Sequence, residues 1–467
     1  VSLNGTQDPL WVIDGLPIEG TELPNRIDKD NLNSLNNLPI AGINPDDIAD
    51  ITVLKDAAAT SIYGARAANG VIVITTKRGK SGPAKLQVSA NTFVTERPDF
   101  GKLNLMNANE KVDFELLMAN RTDLNYRTGK GAVMRILDNA DALDAYRSGG
   151  LAALSPDVQQ SINQLRLQQT DWGKELYRQA LNQQYSASIS GGNDAHRYYL
   201  SSGFYDEKGA TKGADLRRYS LTLNNDFNIN DRFKAGINLL GSISNRRNPI
   251  QDDDAFTNPS NYMRLVNPYL TVRDQSGKYS YDPDIEGYEK DTYIPFNAIE
   301  ERENTKYALT NKALKAIGYL EYTIIPQLSL RTEFGLQFDE NSMERFADQE
   351  SYNTRKLRAA TRYYDSASKT FKYFLPTGGK IENNHNSIFQ YNWKTYLKYN
   401  KTWNEKHELE LMGGTELRRS TNKMIATKGF GYNPGTLTTQ NIIFPNSNYQ
   451  DDSRFVQYKK GLIENSY

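Results

Sequence analysis

Six stretches of this chain alternate between apolar and polar residues, a period that suits a β-strand with two differently solvated faces. Tyr219, Leu221, Leu223, Phe227 and Ile229 fall on one face, while Ser220, Thr222, Asn224, Asp226 and Asn228 fall on the other. Phe233, Ala235, Ile237, Leu239 and Ile243 repeat the stripe after a turn at Asn230-Asp231. Leu314, Ala316, Leu320, Tyr322 and Ile324 make a third, and Leu328, Leu330, Phe334, Leu336 and Phe338 a fourth beyond Pro326-Gln327. Phe389, Tyr391, Trp393, Leu397 and Tyr399 form the fifth; Leu409, Leu411 and Leu417 form the sixth, across Asn404-Glu405-Lys406. An earlier strand carries Leu86, Val88, Ala90, Thr92 and Val94. Short turns near 191–196, 230–231, 326–327 and 403–407 alternate with long connections at 206–215, 245–311, 339–387 and 421–452. A soluble antiparallel sandwich also alternates, but it has no reason for that rhythm and its strands usually run about five to six residues. A transmembrane antiparallel barrel does have one: short turns on one rim, long loops on the other, strands of about ten residues between them. With the pair at 184–205 and a weak strand near 453–465, about ten strands are expected, roughly half of the 22 in a large plugged barrel.

Composition agrees without deciding. Only 38% of residues are hydrophobic, as expected where half of each strand faces a polar lumen. No run reaches the 18 or so apolar residues of a membrane-spanning helix, so any crossing must be made by strands. With 56 basic and 56 acidic residues the net charge is zero, which gives no electrostatic case for a nucleic-acid partner. Cysteine is absent, excluding disulfides, thiolate metal sites and cysteine nucleophiles.

The chain has a second organised stretch at its start. Trp11–Ile13 reads as a strand, Asp14-Gly15 as a tight turn after it, and Pro45 after Asn44 as a helix start. Ile51–Leu54 reads as a buried strand, Lys55–Tyr63 as an alanine-rich helical turn or two, and Gly70–Thr76 as a second β-branched strand. Between them Gly64-Ala-Arg-Ala-Ala-Asn-Gly70 allows positive φ and close backbone approach. "PLWVIDGLPIEG" at 9–20 and "INPDDIADITVLKDAAATSIYGARAANGVIVITTKRGKSG" at 43–82 together resemble the plug domain of SusC/RagA-type TonB-linked outer-membrane transporters. The resemblance implies a plug at 1–82 inside a β-barrel that begins at 83, with long extracellular loops at 95–183, 206–215, 245–311, 339–387 and 421–452. It further implies TonB-coupled import of a bulky nutrient, oligosaccharide before oligopeptide, beneath a SusD-like surface lipoprotein in a Gram-negative outer membrane. The plug signature falls on Asp14, Gly15, Lys55, Asp56, Tyr63, Gly64, Arg66, Asn69 and Gly70. Polar plug–barrel contacts among such residues would let the plug shift when pulled. No signal peptide is visible, and an internal segment of a longer precursor is expected.

Other candidate chemistry is thin. Gly79-Lys80-Ser81 ends like a phosphate-binding loop, but the glycine required five residues earlier is Ile74. His407-Glu408 would need a second metal ligand at Leu411, and the chain has only two other histidines, His196 and His385. No catalytic, metal or cofactor site is therefore expected. Asp252-Asp253-Asp254 and Asp451-Asp452 lack the spacing of a calcium loop. Tyr262, Tyr269, Tyr279, Tyr281, Tyr288 and Tyr293 lie among amides and carboxylates in one long connection. Their flat faces suit sugar rings or extended peptides, or else pack the loop itself or sit in the interfacial aromatic girdle. Trp393, Trp403 and Tyr399 are expected at the lipid boundary. Outside the import reading stand a siderophore- or cobalamin-type receptor without a lid, and a secreted glycan-binding or glycan-cleaving β-protein.

Overall fold

A computed structural model describes residues 9–18, 42–55, 61–67, 69–121, 131–251, 254–289, 292–403, 407–442 and 463–466. The plug is a small mixed sheet. Strands β1 (Leu10–Ile13) and β2 (Leu16–Pro17) form a hairpin, with β3 (Ile48–Leu54) and β4 (Val71–Thr76) completing the order β2-β1-β4-β3. β1 runs parallel to β4, and β3 antiparallel to it. The two-residue turn at Asp14-Gly15 has φ of 48° and 92°, the doubly positive geometry that matches hairpin twist and that Asp-Gly tolerates. Asn44 caps the short helix Pro45–Asp47 by accepting from the Asp46 amide at 3.2 Å. The expected helix at 55–63 lies partly outside the described residues; a 3-10 helix at Ser61–Ala67 follows, broken at Gly64 by φ 67°. Val12, Ile13, Val71 and Ile74 are wholly buried at the centre of the plug.

From Gly82 a single antiparallel sheet takes over. It runs β5 (Gly82–Thr95), β6 (Ala180–Gly192), β7 (His196–Lys208), β8 (Asp215–Asn228) and β9 (Phe233–Asn248). Two hairpins lie outside its plane, β10 (Glu286–Glu289) with β11 (Thr292–Pro295), and β14 (Arg362–Asp365) with β15 (Thr370–Tyr373). Between and beyond them the sheet continues with β12 (Thr305–Ile325), β13 (Leu328–Ala347), β16 (Gly379–Trp403) and β17 (His407–Asn433). The short strands β18 (Thr438–Gln440) and β19 (Ile463–Ser466) both pair with β17. Among the described residues this sheet is an open wall ended by β5 and β18, not a closed ring.

Every apolar stripe read from the sequence lies on the outer, plug-free face. Leu86 is 73% exposed, Leu221 52%, Leu314 51% and Trp393 53%. The registers place them side by side: Leu223 opposite Leu239, Leu239 opposite Ala316, Ala316 opposite Leu336, Leu336 opposite Tyr391. Aromatic rings edge this belt. Tyr185, Phe204 and Tyr219 lie against one another toward the long connections. Toward the short turns, His196 stacks on Phe227 and Phe233 on Tyr322. From Tyr219 to Phe227 is eight residues, about 26 Å along a strand, which a tilt of about 40° brings near the apolar band of an outer-membrane barrel.

The strands exceed expectation. Those of the wall from β5 to β17 run from 13 to 27 residues instead of about ten, and the loops contract: 95–183 to 96–179, 206–215 to 209–214, 245–311 to 249–304, and 339–387 to 348–378. Residues 421–433 belong to β17 and not to a loop. Above the belt polar and apolar residues mix on both faces, as in the paired segments 305–311 and 341–347. The period that marks a strand vanishes there while the ladder continues. The connections 96–179 and 249–304 hold helices, including Ala108–Asn120 and Pro156–Leu167, which pack around the buried Val112, Val133, Leu137 and Ile162.

Candidate functional site

The polar faces of β6 to β9 meet two short plug segments, 46–47 and 76–78. Asp47, only 1% exposed, accepts hydrogen bonds from Tyr199 OH at 2.8 Å and from Thr222 Oγ1 at 2.7 Å. Ser186 Oγ donates to Asp46 at 2.8 Å. Asp14 folds back on β4, accepting from the Thr76 amide at 2.9 Å and Oγ1 at 2.6 Å. Asn224 Nδ2 reaches across from the wall to Thr76 Oγ1 at 2.8 Å and to the Lys77 carbonyl at 2.6 Å. Arg78 pairs with Asp226 at 2.7 Å, and Tyr319 OH donates to the same carboxylate at 2.7 Å. An apolar patch also forms, in which Ile13, Leu16, Ile18, Ile43 and Ile74 meet Leu240 and Ile317.

The far flank meets the plug at further points. Gln390 Nε2 donates to the Pro17 carbonyl at 2.7 Å, and Arg66 lies 3.9 Å from Glu416. Leu16 fills the space in front of Gly335, where a Cβ would come within 2.4 Å of it. Gly79, read above as the end of a loop motif, sits against the wall: a Cβ there would fall 2.4 Å from the Tyr198 amide. Its small size serves close approach, not phosphate. The seam is thus a wet joint of hydroxyls, amides and carboxylates with a greasy patch.

The tyrosines of the long connection are mostly spent inside it. Tyr262 is wholly buried among Trp172, Phe296 and Tyr352, and Tyr269 OH donates to Glu115 at 2.8 Å. Burial raises the phenol pKa of both. Tyr281 donates to Glu300 at 2.8 Å, and burial with that carboxylate pushes its pKa up to about 12. Tyr279 donates to Glu303 while the Arg273 guanidinium covers its ring at 3.8 Å. Tyr288 pairs by backbone with Tyr293, whose side chain is 46% exposed. Asp254 is taken up by Lys356 at 2.7 Å and by Tyr352, and Asp252, Asp253, Asp451 and Asp452 lie outside the described residues. His196, His385 and His407 stand on different strands. Among the described residues no three His, Cys, Asp or Glu side chains converge as metal ligands.

The family model for the TonB-dependent receptor plug domain matches residues 1–71. TonB-dependent receptor P3 of Formosa agariphila is 26% identical over 90% of this chain and 33% of its own length. TonB-dependent receptor SusC of Bacteroides thetaiotaomicron is 27% identical over 73% of this chain and 30% of its own. The RagAB peptide transporter superposes with a TM-score of 0.66 at 22% identity, covering 96% of this chain and 45% of that one. The RagAB importer in its closed-closed state gives 0.65. Residues 1–71 thus match the TonB-dependent receptor plug, and the chain as a whole is similar to SusC- and RagA-type receptors. It spans about a third of the length of the curated relatives it matches and under half of the RagA-type chain.

Within this TonB-dependent receptor plug, the signature residues divide by position. Asp14 and Gly15 build the hairpin turn, and Arg66 reaches toward the wall. Gly64 and Gly70 hold φ of 67° and 94°, and a Cβ at Gly70 would lie 3.1 Å from the Leu54 carbonyl. Tyr63 is half-buried and Lys55 is exposed. Asn69 sits in the turn before Gly70, and Asp56 lies outside the described residues. The residues that bind plug to wall are largely others: Asp46, Asp47, Thr76 and Arg78. Their wall partners Thr222, Asn224 and Asp226 were visible in the sequence as a polar stripe. What that stripe faced was not.

Proposed function

We propose that this chain is the plug and the leading part of the barrel wall of an outer-membrane importer. It moves a bulky nutrient inward by TonB-coupled displacement of the plug, beneath a SusD-like surface lipoprotein. The observation that carries this reading is the two-sided wall: apolar residues turned outward, hydrogen-bonding residues turned onto a separately folded plug. A stopper that must move needs a joint whose polar groups can be rewetted when it opens, since burying them unpaired would be costly. The outer membrane holds no ATP, so a lumen closed from within must be opened from the periplasmic side. The outward belt weighs against a secreted, water-soluble β-protein, which would expose no such continuous apolar surface.

For cargo, the buried and capped tyrosines of 249–304 leave few open ring faces for sugars, and the fold shared with RagAB peptide importers makes oligopeptide the class to test first. The full-length receptor should require detergent for solubility and show heat-modifiable gel mobility. A deletion strain should lose uptake of one cargo class and regain it on complementation. Recovery as a water-soluble monomer overturns the reading. Absence of a co-purifying lipoprotein would favour the lidless type of receptor.

A further inference from the structure

The inner face of the wall carries charge unevenly. On β13 and β16, residues of the same parity as the plug contacts Gly335 and Gln390 point inward, so Arg345, Lys380 and Glu382 do too. Lys428 joins them from β17, opposite Glu382. Glu382 is approached by Lys380 at 2.9 Å, Lys428 at 3.1 Å and Arg345 at 3.6 Å. Three cations against one carboxylate leave two positive charges uncompensated within the cluster, in a chain whose net charge is zero. Elsewhere on these strands Lys306 with Glu344, Lys312 with Glu340 and Lys315 with Asp339 are balanced one to one, and Lys234, Arg331 and Lys394 around Glu321 and Glu333 exceed their carboxylates by one charge, not two. A cluster that served only to staple strands would have no need of the excess.

Height and ring contacts extend the case. Arg345 is ten residues beyond Gly335 along β13, about 33 Å at full strand rise, so the cluster stands near the mouth on the long-connection side. Lower on the same face, Arg218 and Arg246 lie between the mouth and Thr222, where the plug is held. Arg246 Nε has no hydrogen-bond partner among the described residues. Cations also lie over the inward rings: Arg345 over Tyr307 at 5.6 Å, Lys428 over Phe430 at 5.7 Å, and Arg218 over Tyr205 at 5.4 Å. Faces covered by cations are closed to sugar stacking, while guanidinium and ammonium groups hold carboxylates by charge-assisted hydrogen bonds.

We propose that Arg345, Lys380 and Lys428 form a carboxylate-binding site at the mouth of the lumen, which selects cargo bearing carboxylate groups. The inference rests on the import reading and names the chemistry of its cargo. That chemistry has two sources, an acidic oligopeptide or an oligouronide. The test is binding to the full-length receptor in detergent, with three probes: an acidic oligopeptide, its amidated neutral counterpart, and an oligouronide. In the double variant Arg345→Gln/Lys428→Gln, affinity for a carboxylate probe should fall roughly tenfold or more, as for loss of hydrogen bonds to a charged group. The neutral peptide should be unaffected. Glu382→Gln frees the cations and should strengthen carboxylate binding several-fold, an opposite sign that misfolding would not mimic. Response to only one carboxylate probe identifies the source. Equal response of acidic and neutral probes, or weaker acidic binding in Glu382→Gln, overturns the site. Uptake without charge preference overturns the site and leaves import standing; charge-selective binding with no uptake of any cargo does the reverse.

Discussion

Asp47 shows what a single carboxylate contributes to the seam. Both oxygens accept from hydroxyls of different strands, Tyr199 on β7 and Thr222 on β8, and the side chain is almost wholly buried. Replacing it with Ala strands two buried donors, at about 1–3 kcal/mol each. We predict that Asp47→Ala lowers the unfolding temperature of the receptor in detergent, and that Asp47→Asn, which keeps one acceptor oxygen, lowers it less. An equal loss in both variants would show that the pairing is not what holds the plug. Gly79 makes the complementary case, where the constraint is space. An added methyl there meets the Tyr198 backbone, not a flexible side-chain end, so Gly79→Ala should displace the strand entry by overpacking at about 1–3 kcal/mol. Limited proteolysis should then cut at 77–82; an unchanged digestion pattern would refute this.

At the level of elements, the belt and the buried connection respond to different stresses. Leu314 stands near the centre of the outer face, so Leu314→Arg should cost about 2–4 kcal/mol of barrel stability if that face meets lipid. Heat-modifiable mobility measures it, and a neutral result would move the face out of the membrane. The connection at 249–304 is instead alkali-sensitive. Tyr262, Tyr269, Tyr279 and Tyr281 all have raised phenol pKa values, with Tyr281 at about 12. A raised folded value stabilises fully below the unfolded value, about 10, and that stabilisation is lost as pH climbs through the folded one. Near-ultraviolet circular dichroism should therefore be constant to about pH 10 and fall above it, together with tyrosinate absorbance. Loss of the signal at lower pH would contradict the buried packing. What could be read from sequence follows the same division. The stripes were legible because lipid and lumen impose a period of two on each strand. The extensions of β12, β13, β16 and β17 were not, since polar and apolar residues mix on both their faces and no period of two marks them. The start of Pro156–Leu167 is marked by a proline, which can open a helix.

For the whole molecule, the plug signature announced a stopper but not its fastenings, which pair residues as far apart as Asp47 and Thr222. Such pairs depend on register between two separately folded parts, and no local pattern encodes register. Because these 467 residues contain no cysteine, a designed crosslink has no competitor among them. Asp46→Cys/Ser186→Cys, at a contact of 2.8 Å, should form a disulfide that abolishes uptake when oxidised and restores it on reduction. Undiminished uptake through the oxidised form would mean that cargo passes without the plug leaving this wall. The fastenings also have a direction. Those from Ser186, Tyr199, Thr222, Asn224 and Asp226 lie on three adjacent strands, while β13, β16 and β17 meet the plug at Leu16, Pro17 and Arg66. A body riveted along one flank resists shear, because every rivet loads at once, but yields to peeling, because they load one after another. The same pulling force would therefore open the pore or leave it shut according to the corner on which it acts.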